Sequence, residues 1–201
     1  TSVAVYEEGD LQHVGVIPMG GVNITNDLAI GLKTDPEIAE KVKLSHAVAA
    51  GREGEAGISI KDGDQIHSFN SSEIDEIVEA RLEEIFENIQ KELKKAGRAG
   101  KLPSGVVLTG GTANLKHIAE YAKKTLGLAA RVGTPSGYGG VSDDAEKPEF
   151  ATAIGLMLLD GEAGASHASG KHRTNFSAKN AAGAAKKAGG VVSGFLKRFK
   201  A

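Results

Sequence analysis

Between Gly105 and Ile118 the chain reads Gly-Val-Val-Leu-Thr-Gly-Gly-Thr-Ala-Asn-Leu-Lys-His-Ile, and this stretch limits the fold more than any other. Val106-Val107-Leu108 is a short apolar run of the kind that forms a buried strand. It stops at Thr109-Gly110-Gly111-Thr112, and Leu115, Ile118, Ala119 and Ala122 then fall on one face of a helix. The pattern predicts a strand passing straight into a helix through two glycines. Without a Cβ, that backbone can approach a ligand closely, and the unpaired N–H groups of a helix start can face it. The same pattern also suits a plain tight turn, so the rest of the chain has to decide.

The elements on either side alternate. Residues 2–7 and 11–18 read as a hairpin closed by Glu8-Gly9-Asp10. Gly20-Gly21 then breaks the second strand. Ile24, Leu28 and Leu32 mark a helix that Asn23 or Thr25 should cap. Asp35-Pro36-Glu37 starts another helix, with Asp35 as cap and Pro36 in its first position; Ile38, Val42 and His46 lie along it. Residues 57–60 and 65–69 form a second hairpin around Lys61-Asp-Gly-Asp64. Asn70-Ser-Ser-Glu73 reads as a capping box. It opens a long helix with Ile74, Ile77, Val78, Leu82, Ile85, Phe86, Ile89 and Leu93 at helical spacing, which Gly97 ends. A short strand at 130–132, a Pro/Gly-rich loop and a helix over Phe150–Leu159 follow. This is an α/β chain, expected to build a mixed sheet with flanking helices.

The charge is divided unevenly. Residues 1–160 carry 16 Lys/Arg against 25 Asp/Glu, whereas residues 161–201 carry 8 against a single acid, Glu162. An acidic body with a basic end implies a separate, anionic partner for that end. From 161 to 188 Ala, Gly, Ser, Lys and His dominate, which predicts a flexible linker. Over 189–201, Val191, Phe195 and Phe199 fall at i, i+4 and i+8, beside Val192 and Leu196 and flanked by Lys197, Arg198 and Lys200. That amphipathic, basic-edged helix suits an anionic membrane surface; a protein groove or packing on the body are the alternatives. The chain has no Cys, so it has no disulfide framework or thiolate site, and a reducing compartment is expected. Its six His show no metal-ligand spacing. Asp143-Asp144 suits a solvated loop better than catalysis, and an acidic body disfavours nucleic acid.

Taken in order, five segments resemble the motifs of the actin/Hsp70-like ATPases. Thr1–Tyr6 resembles the end of the second phosphate motif. Met19–Leu28 resembles the strand-to-helix step after it. Ala39–His46 resembles the helix that lines the nucleoside pocket. Val107–Gly111 resembles the adenosine motif, and Glu149–Leu156 the second connecting helix. Within that superfamily, the order of segments and the tethered amphipathic end are similar to the FtsA family of bacterial division proteins.

The resemblance implies the second lobe of an actin-like ATPase: a subdomain over 1–33 and 100–160, with a smaller inserted α+β subdomain over 34–99. It implies ATP with Mg2+ as ligand of the full-length protein, and at most weak ATPase activity. It assigns nucleotide binding to Gly20, Gly21, Glu40, Lys43, Gly110, Gly111 and Thr112. The residues agree with that assignment: bare Gly-Gly backbone can lie against a base, Glu40 can accept from ribose hydroxyls, and Lys43 can offer its stem to the ring. Glu40 and Lys43 share a helix face, and a solvated ion pair is the plain alternative. The resemblance further implies a peripheral protein on the cytoplasmic face of the membrane at the division site. It would anchor the FtsZ ring, self-associate into filaments and meet other division proteins. Arg81 matches the position that receives the FtsZ C-terminal tail; it can equally pair with Glu84, three residues on. Thr1 opens in mid-strand without a methionine, so an upstream lobe is expected, and this chain alone should bind ATP weakly or not at all. A sugar or acetate kinase, or a pilus-assembly or shape-determining actin-like protein, would share the pocket; the basic amphipathic end argues against the kinase.

Overall fold

A computed structural model describes residues 1–52, 54–136, 138 and 143–167. The expected C-terminal helix, with Val191, Val192, Phe195, Leu196, Lys197, Arg198 and Phe199, lies outside the described residues.

Both hairpins form where alternation and turn glycines place them. Strands β1 (Ser2–Glu7) and β2 (Asp10–Val16) pair antiparallel, with a bulge at Val5/Tyr6. Strands β3 (Gly57–Asp62) and β4 (Gln65–Asn70) do the same. Between the hairpins lie α1 (Gly21–Gly31) and α2 (Pro36–His46). The long α3 (Ser71–Lys95) follows, with the Asn70 side chain accepting from the Ser72 amide at 3.0 Å, the N-cap half of the expected box. Gly97, at φ +69°, closes it. β5 (Val106–Leu108), a 3-10 turn (Gly111–Asn114), α4 (Ile118–Leu126) and β6 (Ala130–Val132) complete the α/β part. β5 and β6 pair in parallel, as a strand–helix–strand crossover requires.

The core gathers around α3. Ile74, Val78, Leu82, Ile85, Phe86, Ile89 and Leu93 are buried in one stripe, while Ile77 of the expected stripe is half-buried. Against them pack Ile24 and Leu28 of α1, Val42 of α2, Val5 of β1, Ile58 and Ile60 of β3, and Tyr121 and Ala122 of α4. Phe86 and Tyr121 meet edge to face, their ring centroids 5.3 Å apart. Residues of the expected insertion thus share one hydrophobic cluster with the segments on either side of it. Among the described residues, no helix is long and apolar enough to cross a membrane.

Five expectations need correcting. The helix after Gly20-Gly21 is capped by neither Asn23 nor Thr25: Gly20 is its N-cap, and the Asn23 side chain reaches back to accept from the Gly20 amide at 2.9 Å. Asp35 holds the cap position of α2 without a side-chain hydrogen bond. The Gly110-Gly111 step does not pass straight into α4; the 3-10 turn intervenes, and His117 turns the chain at φ +63° before the helix begins. Among the described residues the strands make three two-stranded sheets in place of one mixed sheet, because apolar alternation reports which face of a strand is buried and not which neighbour it pairs with. The last described helix, α5 (Ala151–His167), also continues past residue 160, where the linker was expected to begin.

Candidate functional site

Three segments far apart in sequence enclose one open cleft of about 1110 Å³. The first turn of α1 supplies Gly21, Val22, Thr25 and Asn26. One face of α2 supplies Glu40, Lys43 and Leu44. The Gly111–Asn114 turn supplies the opposite wall, with Glu149 beside it. Of the expected nucleotide-binding residues, Gly21, Glu40, Lys43, Gly111 and Thr112 line this cleft. Gly20 and Gly110 sit one residue outside it, as N-caps of α1 and of the turn.

Backbone contacts fix the walls. The Ala49 amide donates to the Lys116 carbonyl at 2.8 Å, and Val48 bridges to Lys116, which ties the end of α2 to the loop after the turn. The Gly110 amide donates to the Pro148 carbonyl at 2.9 Å, and the Thr109 hydroxyl to the same oxygen at 3.2 Å. Asn114 Nδ2 donates to Glu149 Oε2 at 2.8 Å. That bond, followed by one from its own backbone, holds the Glu149 carboxyl below the usual carboxylate range.

At the centre, Lys43 Nζ donates to Glu40 Oε2 at 2.6 Å, to Thr25 Oγ1 at 2.8 Å and to the Gly21 carbonyl at 3.3 Å. The Thr25 hydroxyl also donates to Glu40 Oε2. The Lys43 side chain is 13 % exposed and that of Glu40 41 %, so the pair is more than the solvated contact its spacing alone allows. Burial pushes the Glu40 carboxyl upward. The hydrogen bonds from Lys43 and Thr25, with the Lys43 charge, outweigh that and leave it below its ordinary value. The ammonium is thereby centred between two backbone-anchored oxygens and a carboxylate. Such an arrangement holds the ammonium in place at the floor of the groove.

Thr25 was expected as a helix cap and is instead the hub joining α1 to α2. The usable signal was its spacing: it lies one turn after Gly21, on the same side of the helix. Arg81 stands outside the cleft. Its Nε and Nη2 donate to both oxygens of Asp27 at 2.5 and 2.9 Å, and its Nη1 donates to Glu84 at 2.5 Å. The Glu84 pairing was legible from the spacing, whereas Asp27, 54 residues away, was not. Among the described residues, no group of three His, Asp or Glu gathers as a metal site.

Comparison with known proteins matches this architecture to one family. The sequence profile of the cell division protein FtsA family fits residues 1–155. FtsA of Neisseria meningitidis serogroup B is 40 % identical over 162 residues, covering 78 % of this chain and 39 % of that protein. FtsA of Bacillus subtilis is 39 % identical over 161 residues, covering 78 % and 35 %. FtsA of Pseudomonas aeruginosa is 34 % identical over 162 residues, covering 79 % and 39 %. The chain therefore spans between 35 and 39 % of the length of these relatives. In fold it is similar to MreB5 of Spiroplasma citri bound to ADP, at TM-score 0.60 and 18 % identity, covering 80 % of this chain and 51 % of that one. The structure of the same protein bound to AMPPNP gives TM-score 0.61 at 17 % identity, covering 82 % and 52 %. An actin-like fold, a profile that covers more than half of the sequence and relatives at up to 40 % identity lead to one conclusion: the chain belongs to the cell division protein FtsA family.

Proposed function

We propose that this chain is the second lobe of an actin-like division protein and supplies the nucleoside side of an ATP site. The observation that carries this reading is the cleft in which the Gly110-Gly111 turn faces Glu40 and Lys43. A Cβ placed on either of those glycines meets nothing within 4 Å, so the turn offers flat backbone to a planar base. Glu40 uses Oε2 for Lys43 and Thr25, which leaves its other oxygen to accept from ribose hydroxyls. Gly20 and Gly21 put the amides and the positive end of α1 on the side where phosphate charge is favoured. The cleft, slightly larger than the roughly 300–1,000 Å³ of an ordinary small-molecule pocket, suits a groove that a second lobe would close. ATP thus fits the residues present. Among the described residues no three His, Asp or Glu gather as a metal site, and Mg2+ is commonly held by only one or two carboxylates with the phosphates themselves.

The natural-length protein would then join the FtsZ ring to the anionic inner face of the membrane. Filament formation would multiply the weak grip of the Val191–Phe199 foot through effective concentration. Arg81 would take part in FtsZ-tail capture only by giving up Asp27 or Glu84. Fluorescent ATP titration of the natural-length protein tests the site: Lys43→Met and Gly111→Leu should each weaken binding at least about tenfold. Equal affinity in both variants and wild type overturns the reading. Liposome flotation with Phe195→Glu tests the foot, and unchanged flotation removes it.

A further inference from the structure

The guanidinium of Arg81, though outside the cleft, grips the segment that builds one of the cleft walls. Two of its nitrogens fork onto Asp27 at 2.5 and 2.9 Å, and Nη1 also lies 3.7 Å from Met19 Sδ. Met19 and Asp27 bracket Gly20–Asn26, which contains the N-cap and first turn of α1; within it Gly21, Val22, Thr25 and Asn26 line the cleft. One turn beyond Asp27, a Cβ on Gly31 would lie 2.5 Å from Ile77 Cδ1, so α1 rests hard against α3 there. Glu84, on the same helix as Arg81, steadies the guanidinium from the other side.

We propose that Arg81 is a positioning residue for the cleft. Its fork clamps the Met19–Asp27 segment onto α3 and so sets where the Gly21 carbonyl and the Thr25 hydroxyl meet Lys43 and Glu40. The geometry leaves little slack: the Lys43–Gly21 contact, at 3.3 Å, is already near the outer limit of a hydrogen bond. A small displacement of α1 breaks it. A planar bidentate fork fixes direction as well as distance, and a single ammonium cannot. The pair is part-buried, with side chains 22 and 27 % exposed, and it joins two helices, so its loss is felt first where α1 meets α3. The consequence for ligand affinity rests on the nucleotide reading; the clamp itself does not.

The test uses the natural-length protein and two readouts, hydrogen exchange at the backbone amides of residues 23–27 and titration with fluorescent ADP. Arg81→Ala and the nearly isosteric Asp27→Asn should each speed exchange at those amides by about five- to tenfold, and weaken ADP by a similar factor. The double variant should be no worse than either single one, because the two residues act as a unit. Arg81→Lys should restore only part of the protection. Wild-type exchange in both Arg81→Ala and Asp27→Asn overturns the proposal, whatever ADP does. Equal ADP affinity in wild type and Lys43→Met instead overturns the nucleotide reading and leaves the clamp to be judged by exchange. If Arg81→Ala does not fold, Asp27→Asn carries the measurement.

Discussion

The two glycine pairs at the cleft look alike in sequence and do different physical work. Gly20-Gly21 and Gly110-Gly111 each lie between a strand and a turn of helix, and both meet at the cleft. Gly20 has ordinary extended geometry, and the demand at this pair comes from outside: a Cβ on Gly21 would sit 2.5 Å from Thr112 Oγ1. Gly21 is small so that α1 can lie against the other glycine turn. Gly110 is required by its own backbone, at φ +90° and ψ 175°, a region essentially closed to side chains. Gly111 meets neither constraint and faces open space. One dipeptide therefore answers three needs, which are close approach, backbone conformation and an uncovered surface.

The largest effect should come from Gly110→Ala, which must strain or refold the turn and cost about 1–3 kcal/mol in chemical denaturation. A loss below a few tenths would show that the turn relaxes freely. Gly21→Ala should cost about 1 kcal/mol through overpacking. The double variant with Thr112→Ala should recover most of that, because the offending atom is gone; if it does not, the clash is not the cause. Glu40→Gln probes the shared floor between the pairs. The folded pKa of Glu40 lies below the unfolded one, so the unfolded chain holds more protons between the two values. The contribution is complete above the unfolded pKa and disappears as pH falls through the folded pKa. The stability gap between wild type and Glu40→Gln should accordingly narrow on acidification, and a gap independent of pH would contradict the assignment. Gly111→Ala should be smallest in stability, within about 0.5 kcal/mol, yet it should weaken nucleotide binding by placing a methyl against the base. If stability falls and binding does not, the turn serves the fold alone.

Much of the fold was legible because its signals are local. The α3 stripe follows from apolar residues at helical spacing, and its start from Asn70, whose side chain accepts from the Ser72 amide. Both hairpins follow from alternation interrupted by turn glycines at positive φ, Gly9 and Gly63. The errors arose where a side chain had two local uses. Asn23 and Thr25 are both good caps, but Asn23 reaches back to the Gly20 amide and Thr25 bonds across to α2. The 3-10 turn after Gly110 was missed because its pattern of small and polar residues also suits the first turn of an α-helix.

The site divides along the same line. Adjacency and spacing along the chain were enough to mark Glu40 with Lys43 and the glycine pairs at 20–21 and 110–111, since each depends on neighbours within a turn or two. Only tertiary structure brought Gly21 to Thr112, Thr25 to Glu40, and Asp27 to Arg81. Those meetings depend on how three helices pack on a shared core. Packing angle and register come from the fit of many side chains at once, and no short window of sequence contains that information.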